Sequence, residues 1–219
     1  MGALLIAALG VLPADPVGAE DCVRVGRPKL GVKYAFHFTD PVGTISTSTT
    51  EYLAVSDTSL RVRLTHTGAF GTIETVNDST LRVEDDLVVV EKMVSSGTNA
   101  HGAFENTVTF QPARIGDPAS RACSGRTWSM PPVAVSTVGS QGGSSETTLD
   151  PGTGRVMAVG ESVTVPAGTF KTVHYEKISD GAHGHVVENA WVSVADGVGV
   201  KYTHHGPAGL ATQVRTGAH

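Results

Sequence analysis

Residues 161–170 read ESVTVPAGTF, and this stretch decides the fold. Val163 and Val165 alternate with Ser162, Thr164 and Pro166, which is the period of a strand with one buried face. Pro166 has no amide hydrogen to give to a ladder, so pairing ends there and Ala167-Gly168 completes a turn. A second strand follows over residues 169–178, with Phe170 expected in the core and Val173 and Tyr175 on a common face. Residues 179–184 make the next turn and residues 186–194 return along the sheet, carrying Trp191 as its largest expected buried side chain. The pair Asp196-Gly197 suits a tight hairpin, and residues 198–202 lead into a final strand.

The same pattern extends towards the N-terminus. Residues 33–38, 50–55, 60–66, 71–76, 80–83 and 87–94 carry strand chemistry, and Asp57, Gly68, Asn77-Asp78 and Asp85-Asp86 mark turns between them. In residues 60–64, LRVRL, apolar and basic side chains alternate, so Arg61 and Arg63 are expected to face solvent. A strand is expected over 104–110, after which Pro112, Gly116, Pro118 and Gly125 signal an irregular connection that holds Cys123. Short strands over 127–129, 133–138 and 146–149 follow, with a Gly/Ser-rich loop at 139–145 and a turn at 150–154. No window shows a capped amphipathic helix. The expectation is an all-β, antiparallel, single domain of ten or more strands.

Residues 1–19 read as an export signal, with an apolar run over 3–12 and Val17-Gly18-Ala19 as small residues before a cleavage point; the β-rich domain is then 20–219. No Lys or Arg precedes the apolar run. No later stretch is apolar for long enough to be a transmembrane helix. In an oxidising compartment the two cysteines, Cys22 and Cys123, are expected to form a disulfide. Closing so long a loop stabilises a fold by up to roughly 4 to 5 kcal/mol in the chain-entropy view. The formal net charge is −5 and there is no Lys/Arg cluster, which argues against nucleic acid or an anionic membrane surface as partner.

The chain carries no nucleophile elbow, zinc-protease, P-loop or dinucleotide motif, and it is read as a non-enzyme without cofactor or metal. His183 and His185 share a face if extended, and His204 or His205 could bring a third ligand; a polar turn and strand end in solvent is the competing reading. Asp85-Asp86, Glu161, Glu176 and Glu188 are the carboxylates considered for acid/base work, with Asp85-Asp86 read as a hairpin turn. Trp128 and Trp191 either line a groove or fill the core.

Trp128, the turn at 166–170, Trp191 and the run GVGVK at 197–201 occur in an order that resembles exported bacterial TapB-like proteins of unknown function, which are similar in fold to the LolA/LolB lipoprotein carriers. The resemblance covers roughly the C-terminal hundred residues. It implies a strongly curved antiparallel sheet, or incomplete β-barrel, with an apolar concave side. The expected function is that of an exported domain holding an apolar or lipid-like ligand, or an envelope partner, on that face; the alternative is a non-catalytic structural or interaction protein of the cell envelope.

Overall fold

The computed structural model describes residues 22–68, 71–99, 102–140 and 142–219. The expected export segment at 1–19 lies outside the described residues. Among the described residues sixteen strands follow one another in chain order. The first eight are β1 (Cys22–Arg24), β2 (Lys33–Thr39), β3 (Ile45–Val55), β4 (Ser59–Gly68), β5 (Gly71–Glu84), β6 (Leu87–Asn99), β7 (Gly102–Pro118) and β8 (Arg121–Cys123). The remainder are β9 (Thr127–Met130), β10 (Val133–Gly139), β11 (Ser144–Leu149), β12 (Gly152–Val165), β13 (Gly168–Gly181), β14 (Gly184–Ser193), β15 (Gly199–Gly206) and β16 (Gly209–Ala218). No helix occurs among the described residues, and the domain is all-β.

Fourteen strands form one antiparallel sheet in the order β11-β10-β7-β6-β5-β4-β3-β2-β16-β15-β14-β13-β12-β9. Two hairpin meanders, β2 to β7 and β12 to β16, are stitched together where β16 pairs with β2. The sheet is not closed into a barrel, yet its two ends are tethered by the chain. β9, at one edge, passes through Pro131-Pro132 into β10 near the other; β11 passes through Asp150-Pro151 into β12. Met130 pairs with Gly152 and Val133 with Leu149 on one unbroken register. The two ladders are thus a single hairpin interrupted at Pro131, Pro132 and Pro151, residues that have no amide donor. Tethered ends oblige the sheet to curl, which brings side chains of β7 towards those of β13 to β15.

A small β1–β8 ladder lies against this curled sheet. The Cys22–Cys123 disulfide joins its two strands, which pair at these residues. Ala122 of β8 packs with Trp128, Met130, Val156, Val173 and Tyr175 in the largest core cluster. Val173 and Tyr175 share the buried face, as their spacing requires.

Turn chemistry is equally direct in two places. Asp85 and Asp86 adopt φ of 50° and 58°, the left-handed pair that a two-residue hairpin between β5 and β6 needs. In the β14–β15 turn Gly197 has φ 65°, and Asp196 accepts the Val198 amide at 3.1 Å. Arg215 of β16 reaches the same carboxylate, with both terminal nitrogens 3.1 Å from Asp196 Oδ2, and its guanidinium lies over the rings of Tyr34 and Phe170.

Several expectations are corrected. Asn77-Asp78 is not a turn but the middle of β5, where Asn77 accepts the Ser95 hydroxyl. Strand pairing resumes beyond Phe110, and β7 runs on to Pro118. Residues 152–154 belong to β12 rather than to a turn, and the chain does not end its sheet at β15, because β16 follows. Trp191 is only half-buried: it faces away from Tyr175, stacked at 4.3 Å on His174 with Lys201 4.7 Å above its other side.

Candidate functional site

Extending the alternation of Val173 and Tyr175 by two residues puts Lys177 on the interior face. Across β13, β14 and β15 it is in line with Glu188 and His204, while Tyr175, Ala190 and Tyr202 form the adjoining row. An interior face that is apolar further along therefore becomes ionisable here. Lys177 is 1% exposed, and its ammonium is 2.6 Å from Asp117 of β7, an ion pair without the alignment of a hydrogen bond. Burial pushes the Lys177 pKa down, opposed by Asp117. Glu188 accepts the Tyr202 hydroxyl at 2.6 Å and stands 3.1 Å from His204 Nδ1. Burial, then the Glu188 charge, raises the Tyr202 pKa, so the phenol keeps its proton and donates.

Arg114 enters from the opposite strand because of a bulge. Lys92 of β6 pairs with Thr109 and Val90 with Arg114, so the β7 residues from Phe110 to Ala113 stand opposite Glu91 alone. Pro112, which cannot donate to the ladder, lies inside that bulge. Beyond it Arg114 turns into the curl of the sheet. Burial lowers its pKa to about 10, opposed first by Glu188 and then by Asp117 and Tyr202, and the group stays cationic at neutral pH. The Arg114 Nε is buried without an acceptor, and none of its nitrogens has a hydrogen-bond or ion-pair partner among the described residues. The Phe110 ring lies 5.8 Å from its guanidinium carbon.

Arg114, Glu188 and His204 border a half-open cleft of about 200 Å³. Met130, Pro131, Val133, Leu149 and Val186 form an apolar wall, and Arg114, Asp150, Ser179, His183, Glu188 and His204 supply polar groups. The wall exists because of the interrupted hairpin, since Met130 to Val133 and Leu149 are the residues at its break. Asp150, at the same break, accepts the amides of Ala182 and His183 at 3.0 Å and is 2.9 Å from His183 Nδ1. The His183 amide, first among these contacts, holds the Asp150 carboxyl below its usual range.

Of the histidines considered as ligands, His183 and His204 both border the cleft, whereas His185 is exposed and bonded to Asp180 at 2.6 Å. His204 pairs with Glu188 across β14 and β15, with a bulge at Trp191/Val192 between this pair and the turn. No group of three metal-ligating side chains is assembled among the described residues. Glu188 is in the cleft; Glu161 is 3.8 Å from His174 on the opposite face of the sheet, and Asp86 is tied to Arg126 at 3.0 Å. Trp128 is core, edge-on to Tyr175. Arg114, Asp117, Lys177 and Tyr202 were not singled out by the sequence; the signal available for Lys177 was its place two residues after Tyr175, and for Arg114 a proline at the mouth of a strand. Comparison of the chain with protein-family models, with curated proteins and with solved structures gave no match.

Proposed function

We propose that this chain is an extracytoplasmic binding domain that holds a small apolar or lipid-like ligand in the concave side of its sheet. The observation that carries this reading is the cleft itself, in which an apolar wall meets polar groups gathered from different strands. The disulfide between Cys22 and Cys123 suits an oxidising compartment, and the location proposed is secreted or in the cell envelope. Kinship with TapB-like proteins and the lipoprotein carriers is part of the same proposal, supported by the curved all-β sheet. A structural or interaction role is the second reading. It is favoured by how much of the interior is taken up by Trp128, Tyr175 and Lys177, which leave a cleft of modest size.

Native mass spectrometry with lipid extraction, on protein recovered from its own exported compartment, separates the two readings. Recovery of a small molecule in near one-to-one ratio supports the binding domain. A ligand-free protein supports the structural role.

A further inference from the structure

Four arginines are partly or wholly withdrawn from solvent among the described residues, and three of them meet a carboxylate. Arg63 is 2.8 Å from Glu51, Arg126 is 3.0 Å from Asp86 and Arg215 is 3.1 Å from Asp196. Arg114 meets none. The nearby acids are already engaged, Asp117 with Lys177 and Glu188 with Tyr202 and His204. A guanidinium is a planar fork of five N–H donors, and carboxylate oxygens match two of them at once. Leaving such a group partly desolvated and unmatched is costly, and a ligand that supplies the acceptors regains that cost on binding.

From this arrangement we infer that the cleft recognises a short amphiphile bearing a carboxylate, with Arg114 binding the carboxylate and the wall of Met130, Val133, Leu149 and Val186 taking the apolar body. The inference rests on the binding-domain reading and names the ligand class for it. A cleft of about 200 Å³ is below the roughly 300 to 1,000 Å³ of sites for drug-sized molecules, so the body is a short chain or single ring. The Phe110 ring, 5.8 Å from the guanidinium carbon, makes a cation–π contact that uses none of the N–H donors.

The test is calorimetric titration of the whole domain with octanoate and with 1-octanol, a pair that differs in the charged head. Octanoate is expected to bind about tenfold or more tightly than 1-octanol, the ratio expected of one charge-assisted contact. In Arg114→Met the octanol affinity is retained and the ratio falls to within about twofold, since the fork is lost and the apolar stem kept. Equal binding of the two probes by the unsubstituted protein overturns the carboxylate inference and leaves the binding domain standing. A preference that survives in Arg114→Met also overturns it. Binding of neither probe overturns the carboxylate inference for short amphiphiles, and only the mass-spectrometric result then speaks for a ligand. Should Arg114→Met fail to fold, the ratio measured on the unsubstituted protein decides alone.

Discussion

At the junction of the two meanders Arg215 is 4% exposed, flanked by Tyr34 and Phe170 and bonded through both terminal nitrogens to Asp196. In the cleft Arg114 has an aromatic neighbour too, Phe110, but no acid bonded to it among the described residues, Glu188 and Asp117 acting on it only from a distance. Nε is buried without an acceptor in both, so that feature does not separate them. What separates them is where the terminal nitrogens go. Arg215 spends them on the turn between β14 and β15 and so fastens β16 to its neighbours, whereas Arg114 lines a cleft and gives them to no acid among the described residues. The contrast teaches that a cation out of solvent serves the fold when its partner is in the chain and serves binding when its partner has to arrive.

The largest expected effect is at the junction. Arg215→Ala leaves Asp196 without its cation in a largely desolvated place, and breaking such a pair costs about 3 to 5 kcal/mol. Chemical denaturation is the check, and a loss below about 1 kcal/mol would show that the junction does not depend on this pair.

Lys177 sharpens the comparison from the side of pH. Its pKa is lowered in the fold, so between that lowered value and its ordinary value of about 10.4 the unfolded chain binds more protons than the folded one. Stability therefore rises with pH across that window, by at most about 1.4 kcal/mol per pH unit for a single group. Above pH 10 the sign reverses through Tyr52, whose pKa burial pushes up to about 12, and through Tyr175 and Tyr202, which burial also raises, because the unfolded tyrosines give up their protons first. In Lys177→Met the alkaline rise is expected to flatten while the later fall remains. Urea midpoints between pH 7 and 12 read both limbs, and an unchanged rise in the variant would remove Lys177 as its source.

The smallest effect belongs to the cleft. Arg114→Met removes a cation that no acid contacts, and stability is expected to change by no more than about 1 kcal/mol in either direction. A loss as large as that of Arg215→Ala would erase the distinction between the two arginines. Thermal unfolding of both variants side by side makes that comparison.

Much of the fold was legible in the sequence because it is local. Two-residue periods and turn residues such as Asp85-Asp86, Pro166-Ala167-Gly168 and Asp196-Gly197 act over a few positions, and the hairpins they mark are present. Pairing of β16 with β2 joins residues at opposite ends of the chain, and no short-range pattern encodes it. The size of Trp191 predicts a core position, but alternation from Tyr175 through its partner Ala190 places Trp191 on the other face. The cleft was the least legible part. Glu188 and the histidines stood out as chemistry-bearing residues, yet Arg114 is an isolated basic residue in a stretch that Pro112 disguised as a loop, and only the bulge in β7 aims it inward. Buried charge depends on which strands meet across the curl, and that meeting is set by the interrupted hairpin rather than by any run of residues.

The most direct measurement is the Arg114 Nε–H resonance in a nitrogen-15 spectrum, assigned by its loss in Arg114→Met and followed during titration with octanoate. A downfield, saturable shift of that resonance, with the methyl signal of Met130 moving along the same binding curve, is the predicted result. An Arg114 resonance that stays in place while octanoate binds would contradict the assignment of the cleft as the binding site.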